Sequence, residues 1–236
     1  MAYEISRKTA GAIAESGVQD YMTKVYGWMA GGLLTTALSS YFTISSPILL
    51  EAVFSNSIIL IGLFIGQILL VGALSGWVQR MSTGVAATVF LAYSALTGLT
   101  ISSIFFVYTS DSIFNVFTTV ALAFAALSLF GLTTKRDISG WGSFLFIGLV
   151  GVMLSFVVDI FFPGGPFGFA ATIIGVIVFA GLTVYDSARI KEQYLEIAGT
   201  DGEFLAGRFA VRGALTLYLD FINLFLLLLR LLGRRR

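Results

Sequence analysis

Between Glu51 and Arg80 the chain reads AVFSNSIILIGLFIGQILLVGALSGWVQ (residues 52–79), without one charged side chain. About 20 apolar residues in a helix cross the ~30 Å hydrocarbon core of a bilayer, so this run is long enough to span it. A transmembrane β-strand would need only ~10 residues of alternating character, and this stretch does not alternate. The same pattern recurs along the chain. Uncharged runs cover 25–50, 81–110, 112–134, 138–158 and 160–185, and a last apolar segment, 213–229, is broken only by Asp220. The pattern predicts seven transmembrane helices over 23–43, 57–79, 84–107, 113–133, 140–162, 168–188 and 208–232.

Composition agrees. Of 236 residues 57% are hydrophobic and 11% charged, with a mean hydropathy of +0.94. A soluble domain carries about 25% charged residues, too many for lipid to be the solvent and too few here for water to be. Cys and His are both absent. That excludes disulfides, thiolate or imidazole metal sites, and Ser-His or Cys-His nucleophilic catalysis. A net charge of +1 argues against nucleic acid as a partner. Residues 1–20 are polar and mixed in charge, without the apolar core of a cleavable signal. They are read as a cytoplasmic N-terminal tail preceding a seven-helix domain over 21–236.

Charge at the connections sets the expected orientation. The loops after the first, third and fifth helices carry Glu51, Asp111 and Asp159; those after the second, fourth and sixth carry Arg80, Lys135, Arg136, Arg189, Lys191, Arg208 and Arg212. The positive-inside rule places the basic side, and with it the amino terminus, in the cytoplasm. An odd number of spans then puts Arg230 and Arg234 to Arg236 outside, unless the seventh segment is re-entrant; a full span is the reading adopted. Pro163-Gly164-Gly165-Pro166 reads as a tight turn, and 189–209 as an extension of helix six followed by a solvated loop. Gly27 with Gly31, Gly62 with Gly66, and Gly72 with Gly76 lie four apart, which predicts close helix packing at each pair. Tyr26, Trp28, Trp77 and Trp141 fall near helix ends as interfacial anchors.

An ionisable side chain inside a span is costly and marks a candidate site. Asp159 lies close enough to a helix end to be read as solvated, and Lys24 and Arg230 can extend to the headgroups. Asp186 and Asp220 differ, for they sit within consecutive helices in the half of the bilayer nearer the basic loops. Arg80 ends the second helix on the same side. One arginine and two carboxylates are thus expected to form a low-dielectric cluster; a headgroup-exposed Asp186 with Asp220 bonded to a neighbouring helix is the alternative.

The run Leu217-Tyr218-Leu219-Asp220-Phe221-Ile222-Asn223-Leu224-Phe225, followed by leucines and Arg230, resembles the last-helix signature of the transmembrane Bax inhibitor motif family. Val184-Tyr185-Asp186, with Ile190-Lys191 after it, is similar to that family's sixth-helix motif, and Arg80 matches its second-helix arginine in position. The resemblance covers nearly the whole chain and looks bacterial. It implies an all-α integral membrane protein of the inner membrane, with six helices around a central seventh. It also implies a calcium leak across the bilayer, gated by a pH-sensing pair that by position is Asp186 and Asp220, with Arg80 as the basic partner. In that reading calcium is the permeant ion and Asp186 and Asp220 are its transient ligands; no cofactor is expected, and no enzymatic activity. The competing reading is a regulatory membrane protein that binds another membrane protein, such as a membrane protease, without transport. An intramembrane aspartyl hydrolase and a proton-coupled transporter are weaker alternatives.

Overall fold

A computed structural model describes the backbone of residues 2–134, 136–162, 166–197 and 202–236, and the side chains in those ranges except 2–15, 160, 166–167 and 202–205. The turn expected at 163–166 therefore lies outside the described residues, apart from the backbone of Pro166. Among the described residues the chain forms nine helices: α1 (Ala2–Ser45), α2 (Pro47–Phe54), α3 (Ser57–Trp77), α4 (Thr83–Ile101), α5 (Ile104–Val107), α6 (Ser110–Thr133), α7 (Trp141–Phe161), α8 (Pro166–Ile197) and α9 (Gly202–Leu232). A 3-10 turn, Val78–Arg80, follows α3. This is an all-α integral membrane protein.

Six of these segments are long and apolar enough to cross a membrane alone. The first span differs from expectation: it qualifies only when α1 from Ser16 is taken together with α2, and the two are bent by 101°. The bend has a local cause. Pro47 opens α2, and the Ser46 side chain accepts from the Leu49 N–H, so the chain stops and restarts there. The same device starts other helices, with Asn56, Ser82 and Thr109 as capping residues. The segment 189–209 opens with the expected extension of the sixth span, but the connection after it is shorter than expected. α8 continues to Ile197 and α9 begins at Gly202, because Glu192, Gln193 and Glu196 favour helix as well as the apolar residues before them do.

The chain packs as two compact units, one of Met1–Ser103 with Ile190–Leu215, the other of Ile104–Arg189 with Thr216–Arg236. In the first unit α4 joins α1 through hydroxyls: Thr36 donates to the Ser94 carbonyl at 2.9 Å and Ser39 to that of Ala95 at 2.8 Å. Gly98 permits this approach, since a Cβ there would run into the Thr36 carbonyl. Arg208 of α9 is buried and donates to the Gln79 and Met81 carbonyls, at 2.5 and 3.3 Å, which clamps the 3-10 turn. Tyr21 and Tyr194 stack with ring centroids 4.7 Å apart.

In the second unit Phe117 and Phe124 of α6 meet Phe221 edge-on at 5.4 and 5.5 Å, and Phe117 also meets Phe225. The chain after α9 pairs with the turn between α5 and α6: Tyr108 and Arg235 form an antiparallel bridge, and the Arg234 N–H donates to the Ser112 hydroxyl. The seventh segment is thus one continuous helix ending beside the Asp111 connection, as a full span requires, and it does not re-enter.

Burial is graded along the chain. Of the most apolar stretch of α9 56% is buried, against 6% in α3 with its 3-10 turn. This gradient corrects the glycine expectation. Among the described residues nothing lies within 4 Å of where a Cβ would sit on Gly27, Gly31, Gly62, Gly72 or Gly76, and Gly66 has only ordinary contact with Leu96. Four-residue spacing puts two glycines on one helix face but does not say which face, and here those faces are open. The close approaches are made instead by glycines such as Gly98, Gly131 and Gly168.

Candidate functional site: a buried carboxyl pair

Asp186 lies three residues before Arg189 on α8, and α6 fixes that turn of helix. Gly131 of α6 sits against the Val184 carbonyl and Ser187 so closely that any side chain would collide with main chain. Beside it the Ser128 and Ser187 hydroxyls meet at 2.6 Å. Ile138, Val184 and Ala188, with Leu127 and Tyr185 packed on them, form a small apolar core under the same turn. The backbone carrying Asp186 is therefore held by both packing and hydrogen bonding.

Asp220 stands near the middle of α9 and is 4% exposed. Its carboxyl group and that of Asp186 are within hydrogen-bonding reach and interact electrostatically. Asp220 Oδ2 is buried and has no hydrogen-bond partner among the described residues. Asn223, one turn further along, does not supply one: its amide donates back to the Leu219 carbonyl at 2.8 Å. An ionised carboxylate only accepts hydrogen bonds. Two of them facing each other bond only when one carries a proton, so the geometry suits a protonatable device better than a fixed strut.

The structure brings Asp186 and Asp220 together within the second unit. Arg80 lies in the first unit, exposed at the end of the 3-10 turn. The cation whose charge acts on Asp186 is Arg189, whose guanidinium lies over the Tyr185 ring at 5.9 Å. Asp186 and Arg189 also line a groove of about 590 Å³ between α7 and α8. Among the described residues no group of three or more His, Cys, Asp or Glu side chains gathers as a metal site. An ion reaching the pair would meet two carboxylates, short of the six to eight oxygens of a tight calcium cage.

A second polar contact was not legible from either of its residues alone. Asp159, expected to be solvated, is only 17% exposed at its side chain and pairs with Arg230 of α9 at 2.5 Å. Arg230 also lies over the Phe156 ring at 5.5 Å. Gly168 makes room, since a Cβ there would touch both charged groups. The signal was available: two opposite charges at the same end of neighbouring spans, each near lipid, lower their cost by meeting.

Helices of this length and apolarity, with a carboxyl pair inside the bilayer-spanning stretch, define an integral membrane protein whose candidate site is a pair of acids. Residues 18–236 match the family described as Inhibitor of apoptosis-promoting Bax1. The chain belongs to the Bax inhibitor family. It is 49% identical over 221 residues to the inner membrane protein YbhL of Escherichia coli strain K12, with 94% of each chain covered. It is 41% identical to an uncharacterized protein of Borreliella burgdorferi, over 92% of each chain. A protein of Rickettsia prowazekii, also uncharacterized, is 37% identical over 94% of this chain and 92% of its own.

Proposed function

We propose that this protein is a pH-sensitive calcium leak channel of the bacterial inner membrane, with its amino terminus in the cytoplasm and its gate formed by Asp186 and Asp220. The observation that carries the reading is the meeting of two acidic side chains inside membrane-spanning helices, one of them with an oxygen left without a partner. Family membership and likeness to an inner membrane protein support it. Two carboxyls held together away from bulk water share a proton and titrate as a unit. The shared proton ties α8 to α9, and its loss puts two negative charges in contact and drives the helices apart. The gate state then follows the proton, and one proton shifts a two-state ratio up to tenfold per pH unit, about 1.4 kcal/mol. Calcium passes by transient contact with the same oxygens, which are hard ligands.

The test is calcium flux into liposomes carrying the purified protein, measured across pH for the parent, Asp186→Asn and Asp220→Asn. A pH-dependent flux that becomes flat in both variants is the expected result. A parent that passes no calcium removes the channel reading, and identical pH profiles in all three remove the sensor. Arg80→Gln and Arg189→Gln, run in parallel, separate the family-implied basic partner from the cation that acts on Asp186 here.

A further inference from the structure

The groove beside Asp186 is built from two stripes that face each other across α7 and α8. Ser143, Phe146 and Leu149 recur at three-residue intervals on α7, and Leu182, Asp186 and Arg189 recur at four and three on α8. Spacing of this kind puts each set on one helix face. The groove is graded in polarity. Its mouth, at the end where α8 passes into its charged extension, is lined by Ser143, Asp186 and Arg189, and its floor by Phe146, Leu149 and Leu182. Phe146 is 64% exposed, so the floor is open sideways to the surrounding acyl chains. Arg189 is exposed and donates no hydrogen bond to another described residue; its one ring contact is with Tyr185.

The lining carries one positive and one negative group about one helical turn apart, with an apolar trough leading away from them. We infer that this groove holds a glycerophospholipid whose head bears both a phosphate and a primary ammonium, that is, a phosphatidylethanolamine. The phosphate meets the Arg189 guanidinium, whose planar donors suit phosphate oxygens. The ammonium, two carbons away, donates to Asp186. A carboxylate has about four acceptor positions on two oxygens, so contact with Asp220 leaves room for this donor. An anionic headgroup would match Arg189 but face Asp186 with like charge, and a quaternary choline has no N–H to give. One acyl chain lies along Phe146 and Leu149. This inference does not rest on calcium passage, and bound lipid is read separately from flux.

The test is native mass spectrometry of the full-length protein from mixed micelles containing equal amounts of phosphatidylethanolamine, phosphatidylcholine and phosphatidylglycerol with identical chains. Bound phosphatidylethanolamine is expected to exceed each of the others by about tenfold, the ratio one charge-assisted hydrogen bond supplies. Arg189→Gln should lose most of the bound lipid, and Asp186→Asn should lose the preference while keeping lipid. Ser143→Trp, which fills the mouth without altering charge, should lose lipid while keeping the parent's elution volume and helical circular dichroism. Equal retention of the three lipids, or preference for phosphatidylglycerol, overturns the headgroup assignment. Unchanged retention in Arg189→Gln and in a folded Ser143→Trp overturns the groove as its location, and displacement by soluble glycerophosphoethanolamine at equal concentration overturns a lipid as its occupant, because the acyl chains then add nothing.

Discussion

Two of the side-chain contacts of α9, at Asp220 and Arg230, lie ten residues apart, about 15 Å along the helix, and they are chemical opposites. At Asp220 one acid meets another, Asp186, in a place where neither sees bulk water freely. At Arg230 a cation meets an acid, Asp159, with part of the arginine still exposed. A guanidinium and a carboxylate attract directly as opposite charges, so this contact needs no shared proton. The acid pair is satisfied only when a proton is shared. One helix thus holds a contact between opposite charges and a contact between two acids, and the difference lies in residue type rather than in fold.

The largest effect is expected where the frame of the acid pair is broken. Gly131→Val drives a side chain into the Val184 carbonyl and should cost about 1–3 kcal/mol. Gly62→Val, on an open face, should cost less than about 0.5 kcal/mol. Thermal unfolding of the two variants in the same detergent checks this, and equal midpoints would show that the α6 contact does not hold the site.

Next in size is conversion of the acid pair into a copy of the ion pair. Asp186→Lys should leave a folded protein whose calcium flux no longer follows pH around neutrality, removing a slope of up to about tenfold per pH unit. A retained slope would mean that the titrating group lies elsewhere.

Arg230→Gln is expected to do less. An ion pair with this much exposure contributes about 0–1 kcal/mol, so the midpoint should fall by a few degrees at most, and the flux–pH profile should keep its position. A shifted profile would show the two ends of α9 to be coupled.

The smallest change concerns Asp137, in the connection between α6 and α7. The Ser139 hydroxyl and the Ser139 N–H, at 2.9 Å, hold its carboxyl below the usual carboxylate range. A carboxyl lowered in the folded state adds stability that is present above its unfolded pKa and is lost as pH falls through the folded value. Asp137→Asn should therefore flatten the acid limb of stability below about pH 4 and leave it unchanged at neutrality. Midpoints recorded at both pH values decide it.

Much of this was legible from residues alone. Charges bounding uncharged runs located the second to fifth spans and the last to within a few residues, because lipid tolerates charge only at helix ends, whereas the first bends into α2 and the sixth runs on to Ile197. Asp186 and Asp220 stood out for the same reason. Contacts that depend on which face meets which neighbour were not legible. The glycine pairs of α3 have the right spacing, yet among the described residues they meet only Leu96, at Gly66, while Gly131, unpaired in sequence, makes a far closer contact. Asp159 and Arg230 are 71 positions apart, and either alone reads as an ordinary helix-end charge. Arg208 reads as a surface cation, yet it is buried on main-chain carbonyls that no side-chain pattern reveals.

The burial gradient bears on how the protein is made. α3 is coated with groups that hydrocarbon itself can solvate, so it can rest in the bilayer with few neighbours. α9 cannot, because it carries an aspartate midway and needs surrounding helices on most sides. Because translation delivers spans in chain order, those that precede α9 can already be inserted when it arrives, which spares the cell a lone acidic helix in lipid.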